Sequence, residues 1–105
     1  MLAPGSTIGI LGGGQLGRMT ALAAARLGYK CHIFTPEDDA PASQVSARTT
    51  KADYTDREAL ARFAAAVDVI TFEFENIPAE AAEALVAAGR PVHPAPSVLR
   101  IAQDR

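Results

Sequence analysis

The sequence has little of what several classes of protein require. Its single cysteine, Cys31, cannot form an internal disulfide, and its formal net charge is only −2 with no basic cluster. A reducing compartment is therefore the simpler expectation, and neither a nucleic acid nor an acidic membrane is indicated as a partner. No apolar run approaches the roughly 20 residues of a membrane helix, and the N-terminus lacks the pattern of a signal peptide. We expect a cytoplasmic protein that does not bind membranes.

What the chain does have is enough apolar sequence for one folded domain. Hydrophobic residues make up 49% of its 105 residues, which suits a single domain over residues 1–105. Short apolar runs alternate with segments of helical period, and strands are predicted at 7–11, 31–34, 47–50, 67–72 and 92–93. This alternation predicts an α/β fold: a Rossmann-like, doubly wound parallel sheet of about five strands with helices on both faces.

Three glycines follow the first predicted strand. Gly12, Gly14 and Gly17 satisfy the pattern G-x-G-x-x-G between that strand and a helix, which is the context that the motif requires. Free N–H groups at the helix start, together with the helix dipole, favour a phosphate there. The alternative is a tight turn that binds nothing. Arg18 either assists an anion at this point or is simply solvated.

The sequence TFEFEN at residues 71–76 places two carboxylates at the end of a buried strand. In a doubly wound sheet the fourth strand lies beside the first, so Glu73 should reach the crevice beside Gly14, Gln15 and Leu16. A phosphate at the glycines and a sugar hydroxyl on Glu73 would suit a single ribose phosphate. The alternative is that Glu73 and Glu75 leave the core for solvent and cap the next helix.

Other polar residues are less informative. An NAD-binding fold usually carries an acidic residue at the end of its second strand, where this chain has Thr35, with Glu37, Asp38 and Asp39 slightly later. His32 and Cys31 are expected to pack in the core, whereas His93 lies at a strand end. Asp53 either borders the site or shapes a turn. No metal site is predicted, since neither histidine has a partner at ligand spacing.

Five short motifs together resemble a known family. They are GGGQLGRM at 12–19, DAPA at 39–42, ADY at 52–54, TFEFENI at 71–77 and QDR at 103–105. In this order they resemble the 5-(carboxyamino)imidazole ribonucleotide synthases, a branch of the ATP-grasp superfamily. The related formate-dependent glycinamide ribonucleotide transformylases usually have glutamate where Gln15 stands, so Gln15 favours the synthases. The resemblance implies that residues 1–105 are a pre-ATP-grasp domain.

The resemblance also implies a ligase of de novo purine biosynthesis. ATP and bicarbonate form carboxyphosphate, aminoimidazole ribonucleotide is carboxylated, and Mg²⁺ neutralises the phosphoryl group that is transferred. By analogy with the family, Gln15 and Leu16 hold the substrate phosphate through backbone amides and Glu73 holds the ribose. Arg105 matches an arginine that contacts ATP, or else it is only a terminal charge.

The same resemblance places the catalytic machinery elsewhere. The ATP-grasp and C-terminal domains are expected beyond Arg105, so no catalytic residue is assigned within the 105 residues and the chain alone should be inactive. The complete enzyme is expected to be a homodimer. Three alternatives remain open: the dinucleotide-binding domain of an NAD-linked oxidoreductase, the related transformylase, and a regulatory module that binds a ligand without chemistry.

Overall fold

The structure of the chain, a computed structural model, describes residues 5–72, 77–89 and 92, and of Leu16 and Ala79 only the backbone. Four strands and three helices alternate, with one turn of 3₁₀ helix. In chain order they are β1 Thr7–Leu11, α1 Gln15–Arg26, β2 Lys30–Thr35, the 3₁₀ turn Ser43–Val45, β3 Arg48–Lys51, α2 Arg57–Ala65, β4 Val69–Phe72 and α3 Ala79–Ala87. All strand pairs are parallel, in the order β3-β2-β1-β4.

This architecture confirms the predicted fold class and the position of the fourth strand beside the first. The strand count differs from the prediction of about five. Within the described residues there are four strands, and the region of the predicted fifth is represented by one parallel bridge between Ile70 and Val92. The sequence also predicts that a final helix begins within 97–103, and this segment lies outside the described residues, as does all of the chain from residue 93 onward.

Side chains alternate across the sheet and divide the core into two layers. Ile10 and Ile33 pack with Ala21 and Ala24 of α1 on one face, together with Cys31. On the other face the core is formed with α2 and α3 by Leu11, Phe34, Phe63, Ile70, Phe72 and Leu85. Because strand residues point alternately to opposite faces, β1 supplies both layers. Helices therefore cover both faces, as predicted. None of the helices in the described ranges has the length and apolarity to cross a bilayer.

The α2 layer lies close to β1 because the strand contains Gly9. A Cβ atom at this position would stand 2.7 Å from Cζ of Phe63 and 3.0 Å from Cγ2 of Val67. Phe63 is 1% exposed and also meets the rings of His32 and Phe34 at centroid distances of 5.1 and 5.4 Å. The ring of Phe63 therefore occupies the space that the missing side chain of Gly9 leaves.

Local signals explain where the helices begin and end. The Asp56 carboxylate accepts a hydrogen bond of 3.1 Å from the N–H of Ala59 and caps α2, which matches the preference for Asp at this position. Gly28 follows the end of α1 with φ of 88°, a left-handed conformation that glycine adopts without a steric penalty. Pro78 precedes α3 as its N-cap residue, one position earlier than the first-turn position predicted.

His32 is a buried core residue, as predicted. It is 3% exposed, and its Nε2 lies 2.6 Å from Oγ1 of Thr50, whereas Nδ1 has no hydrogen-bond partner. Burial, reinforced by the positive charge of Arg48, lowers the pKa of His32 below its ordinary value of 6.5. The folded chain thus binds a proton at His32 less readily than the unfolded chain does.

This difference predicts that acid destabilises the fold through His32. Since the unfolded histidine takes up a proton near pH 6.5 and the folded one only at lower pH, stability falls as pH drops below 6.5 and levels off below the folded pKa. Urea unfolding between pH 7.5 and 5 should show this loss. The variant His32→Gln, which keeps a donor near Thr50 but does not titrate, should show a smaller loss. An identical pH slope in both proteins would contradict the assignment.

Candidate functional site

The turn between β1 and α1 is built to present backbone N–H groups. Gly12 leaves the strand with φ of 119°, and its N–H still donates to the Phe34 carbonyl at 2.9 Å. Gly14 is the N-cap residue and brings no side-chain cap, and the first turn of α1 contains no acidic residue. The first N–H groups of an α-helix have no partner within the helix, and they lie at the positive end of its dipole. The turn therefore suits an anion.

The structure brings the predicted phosphate residues together at this helix start. Gly14 is half-buried, Gln15 is exposed as the first helical residue, and the backbone of Leu16 follows in the same turn. Gly17 is buried on the same stripe as Ala21 and Ala24, which faces the sheet. The grouping of these residues is thus observed, and their contact with a phosphate stays a prediction.

The end of β4 reaches the same edge of the sheet. In the parallel pairing of β1 with β4, Leu11 is opposite Phe72, and neighbouring strands are about 4.8 Å apart. The glycine turn and the segment that follows Phe72 therefore start side by side. Glu73, Glu75, His93 and Arg105 lie outside the described residues, so the roles predicted for Glu73 and Arg105 remain predictions.

A contact that sequence reasoning missed lies on the other side of the turn. The loop of residues 36–47, here called the β2–β3 loop, packs against Gly13. A Cβ atom on Gly13 would stand 2.7 Å from Cβ of Ala40 and 3.0 Å from Oγ1 of Thr35. The Gly13 carbonyl also accepts a hydrogen bond of 2.9 Å from the N–H of Ala42. Gly13 occupies a variable position of G-x-G-x-x-G, so the motif contained no signal for this role beyond the run of three glycines.

Arg18 is directed to the β2–β3 loop. Its Nη1 donates to Oε1 of Gln44 at 3.5 Å, and Nε2 of Gln44 donates in turn to the Asp39 carbonyl at 3.3 Å. Asp39 has a positive φ of 48°, which is uncommon for a residue other than glycine but tolerated by Asp. Of the two predicted roles for Arg18, neither describes this contact, which links the first turn of α1 to the loop.

The end of β2 does not present the group that a dinucleotide-binding fold uses. Thr35 is 1% exposed, and its Oγ1 accepts a hydrogen bond of 3.3 Å from the Glu37 N–H. Asp38 forms an ion pair of 2.7 Å with Lys51 at the end of β3. At the position where a dinucleotide-binding fold has an acidic residue, this strand therefore has a buried hydroxyl that already has a partner, and the acidic residues follow only in the exposed loop.

Asp53 shapes a turn, one of the two roles predicted for it. Its Oδ1 accepts hydrogen bonds from the N–H and Oγ1 of Thr55 at 2.9 and 2.8 Å, and these bonds lower the pKa of the carboxyl. In the described part of the chain no group of three or more His, Cys, Asp or Glu side chains is placed to hold a metal ion. The described residues thus offer no candidate metal ligands at this edge.

A cavity of about 200 Å³ lies apart from the glycine turn, between the start of α2 and α3. Both apolar and polar residues line it: Tyr54, Thr55, Arg57, Leu60, Pro78, Glu80, Ala81 and Ala84. None of the glycine-turn residues contributes to it. The cavity is therefore a feature of the α2–α3 layer and not an extension of the candidate phosphate site.

Comparison with known proteins gives consistent matches over almost the whole chain. The model of a family described as "Ribonucleotide synthetase preATP-grasp domain" matches residues 5–103. The chain is 58% identical to a bifunctional purine synthesis protein of Dictyostelium discoideum, over 100% of this chain and 10% of that protein. It is 57% identical to the N5-carboxyaminoimidazole ribonucleotide synthase of Brucella melitensis, over 99% of this chain and 28% of that enzyme.

Solved structures give the same picture. The ADP complex of an N5-carboxyaminoimidazole ribonucleotide synthetase superposes with a TM-score of 0.89 at 40% identity, covering 95% of this chain and 26% of that one. The Aspergillus clavatus enzyme, in complex with ADP and 5-aminoimidazole ribonucleotide, superposes with a TM-score of 0.78 at 34% identity. The match covers 92% of this chain and 26% of that one. This chain therefore spans about a quarter of the length of these synthases.

Proposed function

The chain belongs to the ribonucleotide synthetase preATP-grasp domain family, and from that premise we propose that it is the N-terminal, substrate-binding domain of an ATP-dependent ligase. The reaction proposed is carboxylation of 5-aminoimidazole ribonucleotide by bicarbonate, which gives N5-carboxyaminoimidazole ribonucleotide, ADP and phosphate in purine biosynthesis. The N5-carboxyaminoimidazole ribonucleotide synthases and the 5-(carboxyamino)imidazole ribonucleotide synthases, which the sequence motifs resemble, are the same family under two names.

One observation carries the proposal: the uncapped start of α1 lies beside the end of β4. The N–H groups at Gln15 and Leu16 are positioned for a phosphate, because the N-cap residue Gly14 leaves them without a side-chain cap. Glu73 is the next residue after Phe72, which is opposite Leu11 in the sheet. We assign to Glu73 the ribose hydroxyls, since a carboxylate accepts two such donors well.

The remaining chemistry is assigned to parts of the enzyme outside this chain. ATP activates bicarbonate, and Mg²⁺ neutralises the phosphoryl group that is transferred. Arg105 is proposed to contact ATP, and no catalytic residue or metal ligand is assigned within residues 1–105. This chain orients the ribonucleotide so that its amine meets the activated carboxyl group. We further propose that the enzyme is homodimeric and cytoplasmic.

The rival proposal, an NAD-binding domain, is disfavoured by the end of β2. Thr35 is buried there with its hydroxyl bonded to the Glu37 N–H, where an NAD-binding fold offers an acidic residue to the ribose. The related transformylase is disfavoured by Gln15, as argued from the sequence. A regulatory module without chemistry has no specific observation in its favour.

Calorimetry on the full-length protein that carries this chain tests the proposal. We expect 5-aminoimidazole ribonucleotide to bind and NAD not to bind, and we expect ADP release that requires both bicarbonate and the ribonucleotide. The 105-residue chain alone should bind the ribonucleotide weakly and release no ADP, since the ATP-grasp and C-terminal domains are expected to supply further substrate contacts and the catalytic residues. Tight NAD binding without ribonucleotide binding would overturn the ligase assignment.

A further inference from the structure

The glycine turn is held on its β2 side by an interlock with the β2–β3 loop. Gly13 has no room for a side chain, since its Cβ would lie 2.7 Å from Cβ of Ala40. Ala40 is 1% exposed and Ala42, whose N–H bonds the Gly13 carbonyl at 2.9 Å, is 0% exposed. Gly13 does not adopt a positive φ, so backbone strain does not explain glycine here. The close approach of the loop does.

The interlock continues into the helix that bears the N–H groups. Arg18, in the first turn of α1, donates to Gln44, and Gln44 donates to the Asp39 carbonyl. The loop therefore contacts both sides of the segment proposed to bind phosphate: Gly13 immediately before the N-cap residue, and Arg18 three residues into the helix. A displacement of the loop would move the N–H groups between these two points.

We propose that Gly13 and Ala40 form a steric lock that positions the phosphate-binding turn, with Gly13 as a positioning residue for the substrate. The proposal rests on the proposed function. An added methyl group at Gly13 must push the turn away from Ala40 and Thr35, since both neighbours are buried. The loss of one hydrogen bond to a charged phosphate lowers affinity roughly 10- to 100-fold, so a clear loss of substrate affinity is expected.

The test compares two glycine variants of the full-length enzyme. Gly13→Ala is expected to raise the KM for 5-aminoimidazole ribonucleotide by about tenfold or more and to leave the KM for ATP unchanged. Gly9→Ala is the matched control, because its added Cβ meets Phe63 at the same 2.7 Å distance but within the α2 layer. It should lower the melting temperature without changing the ribonucleotide KM of the folded enzyme.

A rescue variant tests the contact itself. Gly13→Ala combined with Ala40→Gly removes the nearest obstacle and leaves Thr35 at 3.0 Å, so a partial return of ribonucleotide affinity is expected. If Gly13→Ala behaves like Gly9→Ala, or if the double variant recovers nothing, the lock is overturned while the proposed function stands. If the wild-type enzyme itself shows no ribonucleotide-dependent ADP release, the proposed function fails first, and the lock fails with it.

Discussion

Replacing Glu73 with alanine in the full-length enzyme is expected to raise the KM for 5-aminoimidazole ribonucleotide roughly 10- to 100-fold. Hydrogen bonds to a charged group contribute about 1.5–3 kcal/mol, and each 1.4 kcal/mol corresponds to about a tenfold change. The KM for ATP should be unchanged, because ATP is assigned mainly to other domains and Glu73 is not among the residues proposed to contact it. Steady-state kinetics measure both values: the ribonucleotide is varied at saturating ATP and bicarbonate, and ATP is then varied at saturating ribonucleotide and bicarbonate.

The control for this variant is an exposed glutamate elsewhere in the same domain, on α2. The Glu58 side chain on α2 is 92% exposed. Its Oε2 forms a long ion pair of 4.0 Å with Nη1 of Arg62. Glu58→Ala should leave both KM values at their wild-type level, since exposed pairs of this kind contribute little. An unchanged ribonucleotide KM in Glu73→Ala would remove Glu73 from the ribose site, whatever the overall activity of the enzyme.

Replacing Phe63 with alanine is expected to destabilise the fold by about 3–5 kcal/mol. This ring is 1% exposed, fills the space above Gly9 and contacts His32 and Phe34 edge-on. The loss is a large share of the roughly 5–15 kcal/mol that stabilises an ordinary domain. Urea unfolding of the 105-residue chain, followed by circular dichroism, should show a lower midpoint than that of the wild type.

An exposed apolar residue provides the comparison for Phe63. Met19 is 65% exposed on α1, so Met19→Ala should change the free energy of unfolding by no more than about 0.5 kcal/mol. If Phe63→Ala were as mild as Met19→Ala, the α2 layer would not be packed on β1 through this ring. The described position of Gly9 beneath Phe63 would then be wrong.

Much of the architecture was predictable because it depends on local patterns. The apolar run before the glycines predicts β1. The helical spacing of Leu16, Met19, Ala23 and Leu27 predicts α1, with Gly28 after its end. Met19 and Leu27 are nevertheless 65% and 70% exposed, and α1 packs on the sheet through Ala21 and Ala24. The short strand predicted at 47–50 is present as β3, Arg48–Lys51. One boundary shifted: Val67 is buried ahead of β4, which begins at Val69.

The candidate site was predictable in part. Chain order and the rule for doubly wound sheets placed β4 beside β1, and the observed pairing of Leu11 with Phe72 confirms that neighbourhood. The contact between Gly13 and Ala40 could not be predicted, because the motif allows any residue at position 13. The direction of Arg18 toward Gln44, 26 residues away, likewise depends on how a loop folds back over the helix.

Backbone period and turn chemistry are properties of neighbouring residues, and so strands, helices and the glycine turn can be recognised without coordinates. Distances between layers depend instead on residues that are far apart in the chain. The burial of Thr35, the closeness of Ala40 to Gly13 and the fit of Phe63 over Gly9 each join residues remote in the chain. They are decided by close packing, in which one methyl group more or less changes which segments can touch.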